Sequence, residues 1–154
     1  MTQASTKNTL LIAFVTLLYM ACREQAQPVS DPASFLTTLD IHLNAIKTSN
    51  LKELEPTIAD NVIMIGPDGT KFETKEVFID FHKKWFARTN WEWKGNILKT
   101  EVSDSLGYAF INYHFIQKDT VGDILFEDKE YLALIFKNSV AGWQLVHDQN
   151  TRIQ

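Results

Sequence analysis

At 154 residues, 45% hydrophobic and 12% aromatic, the chain has enough apolar material for one domain with a real core and too little length for two. A formal charge of −4, with Lys83–Lys84 the only basic doublet, excludes a nucleic-acid binder, which needs clustered cations against phosphate. The absence of a repeat period, a low-complexity tract or a glycine-rich phosphate loop removes solenoids and nucleotide-binding motifs as well. In chain order, residues 1–21 come first: one positive charge at Lys7, no acid, then an apolar run from Leu10 to Ala21. That run is too short to span a bilayer comfortably and matches a signal-peptide core, so it predicts export. Cys22 is the only cysteine, which leaves no disulfide within one chain. Residues 22–31 are polar with one proline and no periodic apolar positions, and they read as a flexible spacer ahead of a domain spanning 32–154.

Asp31 followed by Pro32 is a helix-start signal, a carboxylate cap before a residue that needs no donor. Phe35, Leu36, Leu39, Leu43 and Ile46 then recur at spacings of three and four and define one helical face. His42 falls with that face, toward the core. Asn50, with Glu53 three residues on, caps a second helix that Pro56 must cut short. Residues 62–72 predict two strands around a Gly-Pro-Asp-Gly turn. Thr74 then opens a third helix with Val77, Phe78, Phe81 and Trp85 as its buried stripe and His82 half exposed at the stripe's edge. The rest alternates in strand fashion through four segments, "WEWKGNILKTEV", "GYAFINYHFIQK", "EYLALIFKN" and "GWQLVHDQNTR", an antiparallel meander. Helices before strands argue for α+β, with helices packed on one face of a curved sheet.

Alternation places Asn112 and His114 on one strand face with Ile116, and Asp148 and Asn150 on one face with Gln144 and Val146. If both faces look inward they form a polar patch opposite His42. A His114–Asp148 pair there could act as a general acid–base couple, the carboxylate orienting an imidazole poised at neutral pH; the alternative is a set of satisfied polar groups on a wet cavity floor. His147 is expected to pack beside Trp143 and Leu145. Trp85, Trp91 and Trp93 offer either core packing, a cavity wall or a partner surface. No metal is expected, since no His-x-His, His-x-x-x-His or cysteine cluster gathers three ligands, and no cofactor motif is present.

The order helix–helix–hairpin–helix–long antiparallel strands, with "TIADNVIMIGPDG" early and "AGWQLVHDQNTRI" at the close, resembles the nuclear transport factor 2-like superfamily over residues 33–153. More narrowly it is similar to the SnoaL-like proteins and the association domain of calmodulin-dependent kinases. The resemblance implies a cone, a bent antiparallel sheet wrapped around the N-terminal helices with a cavity at its open end, and a homodimer formed through the sheet. It also implies functions as different as isomerisation, dehydration, cyclisation, binding and assembly. The catalytic groups of the ketosteroid isomerase relatives fall here on Gly66, His42 and Ala133 or Leu134, so that chemistry does not carry over. Two basic cavity positions of the kinase domains fall on His114 and Asn150. Cys22, preceded by Ala21 at the end of the apolar run, resembles the lipobox of bacterial lipoproteins, which implies a lipid anchor in the bacterial cell envelope, in the periplasm or at the outer membrane.

Three readings follow. One is an envelope-tethered domain binding a small apolar ligand through His42, Trp85, Asn112, His114, Asp148 and Asn150. Another is a SnoaL-like enzyme using His114 and Asp148 for proton transfer on a hydrophobic substrate. The third is a dimeric assembly module.

Overall fold

A computed structural model describes residues 32–154. The apolar run, Cys22, the spacer and the expected Asp31 cap lie outside the described residues. Helix α1 spans Pro32–Lys47 and buries Phe35, Leu39, His42 and Ile46, spaced four, three and four residues apart. Leu36 sits off that stripe and is 48% exposed. The chain turns through Ser49, whose φ of 56° is left-handed, and Asn50 Oδ1 then accepts the Glu53 N–H at 3.3 Å to cap the short helix α2, Leu51–Leu54. Pro56 permits only a 3-10 turn beyond it, Glu55–Thr57.

The strands are β1 (Ile58–Ile65), β2 (Lys71–Glu73), β3 (Trp91–Val102), β4 (Leu106–Lys118), β5 (Ile124–Ser139) and β6 (Gly142–Arg152). They form one curved sheet in the order β2-β1-β6-β5-β4-β3, an α+β fold. β3 to β6 are the expected antiparallel meander, with neighbours joined by tight turns. β1, however, runs parallel to β6. The two are connected through the whole meander rather than by a hairpin, so no turn forces them antiparallel.

Helix α3, Lys75–Phe86, departs from the expected stripe. Phe78 and His82 are buried, whereas Val77 and Phe81 are 44% and 37% exposed. The helix is rotated so that His82, not Phe81, faces the interior. The His82 ring stacks on Phe78, with centroids 4.2 Å apart. Among the described residues no helix is long and apolar enough to cross a membrane.

The core lies between α1 and the inner sheet face, where Ala109, Ile111, Leu132, Leu134, Phe136, Trp143 and Leu145 point. Gly107 lets α1 approach: a Cβ there would fall 2.4 Å from the Phe35 ring, inside contact distance. Gly107→Ala is therefore expected to lower stability by about 1–3 kcal/mol through overpacking, read as a shifted urea midpoint at constant slope. An unchanged midpoint would show that Phe35 yields freely.

A bulge in β6 sets the phase of the site. Ile135 pairs with His147 while Phe136 pairs with Leu145, so Val146 is an extra residue in the strand. Before it Trp143 and Leu145 face inward, and after it Asp148 and Asn150 do.

Candidate functional site

Strands β3 to β6, helix α3 and the β1–β2 turn enclose a cavity of about 400 Å³. Its walls are mostly apolar, with Phe81 and Trp85 from α3, Trp93 from β3, Phe115 from β4 and Phe126 from β5. Trp93 can lie flat across its own strand because Gly95 has no side chain; a Cβ there would sit 2.2 Å from the indole. Trp93 stacks loosely on Tyr113, and Trp85 on Trp91 at 4.9 Å.

Four polar side chains converge on this apolar space. Asn150 donates from Nδ2 to Asp148 Oδ1 at 2.7 Å and to the Ile65 carbonyl at 3.2 Å, which leaves its Oδ1 facing the Tyr113 hydroxyl at 3.0 Å. The same hydroxyl also meets Glu130 Oε2. One phenolic proton cannot serve both acceptors, so a proton on Glu130 completes the set. Burial pushes Glu130 in that direction, above the ordinary carboxylate range, against the opposing pull of the Tyr113 hydrogen bond. Burial likewise raises Asp148 to about 7, a shift that the Asn150 hydrogen bond moderates and Glu130 reinforces. Tyr113, desolvated and facing Glu130, is held strongly in its neutral form. Asp148 and Glu130 are each only 4% exposed. Asp148 Oδ2 has no hydrogen-bond partner among the described residues.

His82 also lines the cavity. Its Nδ1 donates to the Phe78 carbonyl at 2.9 Å, which leaves Nε2 as an acceptor, and burial lowers its pKa to about 4. At the mouth, Arg152 grips Asp128 through Nε and Nη2, both at 2.7 Å, while Asp68 is held by the Thr70 amide. Among the described residues no group of three or more His, Cys, Asp or Glu side chains could hold a metal ion.

The family model for the SnoaL-like domain matches residues 36–150. The chain belongs to the SnoaL-like domain family. No curated protein sequence matches it. Among solved structures, the SnoaL-like domain is similar to a ketosteroid isomerase-like protein from Erwinia carotovora atroseptica (13% identity, TM-score 0.65, 79% of this chain and 95% of that one). It is similar to a candidate dehydratase of the nuclear transport factor 2-like family from Streptomyces avermitilis (10% identity, TM-score 0.65, 79% and 95%). It is also similar to the association domain of calmodulin-dependent kinase II from C. elegans (12% identity, TM-score 0.58, 77% and 93%). At these identities the likeness is one of fold.

Of the residues singled out from the sequence, Trp85, Asp148 and Asn150 line the cavity of the SnoaL-like domain. His114 and Asn112 do not. Tyr113 and Phe115 occupy the inner positions of β4, so the residues between them face the other side of the sheet. There His114 pairs with Glu127 at 2.9 Å, and Asn112 lies in a shallow hollow with Lys94, Asn96 and Lys129. The proposed His114–Asp148 couple is thus separated by the sheet. His42 is fully buried in the core rather than in the cavity wall, its Nδ1 2.8 Å from Thr57 Oγ1 and its pKa lowered to about 3 by burial, with His82 adding to the effect. His147, across the Val146 bulge, faces away from Trp143 and Leu145 instead of packing with them. Tyr113, Glu130 and His82 are the residues that sequence reasoning did not place in the site.

Proposed function

We propose that this domain binds a small, largely apolar molecule in the aromatic cavity and holds its polar end at Asp148 and its partners Asn150, Tyr113 and Glu130. The observation that carries this reading is the pair of buried carboxyl groups in a chamber walled by aromatic rings. Desolvated acids without a neutralising cation oppose folding, so their presence in an otherwise apolar cavity points to a role outside stability. A volume of about 400 Å³ falls within the range of small-molecule sites, roughly 300–1,000 Å³.

A second reading, proton transfer on the bound molecule in the manner of an isomerase or dehydratase, is favoured by one observation. Asp148 titrates near neutrality, which suits a group that must both give and take a proton. The lipid tether at Cys22 and the dimer formed through the sheet belong to the same proposal.

Native mass spectrometry of the full chain taken from its host's envelope tests these together. A mass beyond the polypeptide that vanishes on denaturation supports the ligand, an acyl mass that survives denaturation supports the tether at Cys22, and a doubled native mass supports the dimer. A bare, unacylated monomer would refute all three. Ligand added back should quench the fluorescence of Trp85 and Trp93, and Tyr113→Phe, which removes the hydroxyl between Glu130 and Asn150, is expected to weaken binding about ten-fold. Equal binding by the variant would remove the polar quartet from the site.

A further inference from the structure

The cavity's charge and its wall chemistry together specify the kind of molecule it takes, given that it is a ligand site at all. Its interior carries two buried carboxyl groups, Asp148 and Glu130, and neither forms an ion pair among the described residues, although the Arg152 charge reaches Glu130. The Arg152 guanidinium is spent on Asp128 at the rim, and Arg88 lies exposed beyond the end of α3. Asn150 engages only one oxygen of Asp148; the second, Oδ2, is unpartnered on a residue that is 4% exposed and lines the cavity. The cavity that Asp148 lines is also walled by Trp85, Trp93, Phe81, Phe115 and Phe126. Aromatic faces attract cations through their quadrupole, and they do so more strongly where water is excluded. An anion would meet desolvated carboxylates inside, with Arg88 and Arg152 only at the mouth.

We propose that the cavity's ligand is a small organic cation, an alkyl or arylalkyl amine, whose ammonium group sits between Asp148 Oδ2 and the aromatic wall. The ammonium supplies the donor that Oδ2 lacks and the charge that the buried pair lacks, and its hydrocarbon part covers the rings.

This assignment has a signature in its pH dependence that a neutral acceptor cannot share. An ammonium requires Asp148 ionised, whereas a carbonyl or hydroxyl acceptor requires it protonated. The titratable and charged groups that share the cavity with Asp148 are Glu130 and Asp128 from β5, Tyr113 from β4, His82 from α3, Asp68 from the β1–β2 turn and Arg152 from β6, with Arg88 at the mouth. His82, with its pKa of about 4, stays neutral above pH 6, and ionisation of Glu130, itself opposed by burial, acts in the same direction as that of Asp148. With Asp148 titrating at about 7, amine affinity should rise about ten-fold between about pH 6 and about pH 8.

The test uses three probes of one shape, phenethylamine, phenethyl alcohol and phenylacetate, titrated into the full chain by calorimetry and tryptophan fluorescence. The amine is expected to bind at least about ten-fold more tightly than the alcohol at about pH 8, with that pH dependence, and Asp148→Asn should erase the preference while leaving alcohol binding in place. Alcohol or phenylacetate binding as tightly as the amine, or amine binding that weakens as pH rises, would overturn the cation and leave the cavity's binding role standing. If none of the three binds and the native mass spectrum is empty, the binding role falls with it.

Discussion

Acidification from about pH 6.5 to about pH 4.5 is expected to remove up to about 2 kcal/mol of stability, a sizeable part of what a domain of this size possesses. His42 and His82 are buried as neutral rings, with pKa values of about 3 and about 4 against an ordinary 6.5. Below pH 6.5 the unfolded chain therefore binds two protons that the fold refuses, and stability falls as pH falls. Asp148 works the other way. Its folded value of about 7 against 3.8 means that, between those limits, the fold holds a proton the unfolded chain has lost. Among these three groups the net difference is one proton, worth up to about 1.4 kcal/mol per pH unit, and the raised Glu130 carboxyl, which also keeps its proton in the fold, reduces it. Above pH 6.5 only Asp148 still titrates among the three, and its ionisation lowers stability again. These groups place the optimum between about pH 6 and about pH 7.

Urea midpoints measured across this range check the prediction, and stability that climbs steadily toward pH 4.5 would refute it. His42→Leu separates the contributions. The Thr57 hydroxyl donates to the Leu54 carbonyl at 2.6 Å, so removing the ring leaves no orphaned donor, and His42 Nε2 has no partner to lose. The variant should keep its neutral-pH stability within about 1 kcal/mol while its acid limb flattens, because one histidine then balances one aspartate.

Much of this architecture was legible because periodicity reports burial. The stripe Phe35, Leu39, Ile46 fixes the inner face of α1, the alternation from Trp91 onward fixes the meander, and the Asn50 and Pro56 signals bound α2. The same periodicity put Trp85 on the inner stripe of α3, whereas Asp148 and Asn150 line the cavity only on a strand phase that the bulge resets. The site's other half was hidden by three features with weak local signals. The bulge at Val146 inverts the alternation of β6 without any glycine to announce it, so Asp148 reaches the interior with Trp143 and Leu145 and not, as a regular strand would have it, with Gln144 and Val146. His114 fails as a site residue because its own face of β4 looks outward, and strand alternation alone gives two faces without saying which is inside. Glu130 reads as a solvent-facing charge within "DKEY", since nothing local shows that the curl of the sheet carries it over the cavity. Its register partner Tyr113 was the available clue, an amphipathic ring whose hydroxyl needs a partner once buried.

Asp148→Asn gives the second large expected effect, and it runs against the usual outcome of mutating a buried polar residue. At about pH 8 the wild-type domain holds an ionised carboxylate in an apolar chamber, and the shift from 3.8 to about 7 sets the stability forfeited there at up to about 4 kcal/mol. Asparagine keeps the size and the Oδ1 that accepts from Asn150, and it carries no charge to desolvate. The variant should therefore be more stable than the wild type by about 2–4 kcal/mol at pH 8, and by almost nothing near pH 4, where both side chains are neutral. Thermal unfolding at the two pH values reads this directly. A variant less stable at pH 8 would mean that Asp148 is already neutralised within the fold. The expected gain defines the functional argument more sharply than any contact does. A side chain whose isosteric replacement improves the fold is explained by what it does for a ligand, and the same substitution that stabilises the domain should abolish its preference for a cation and any proton transfer at Oδ2.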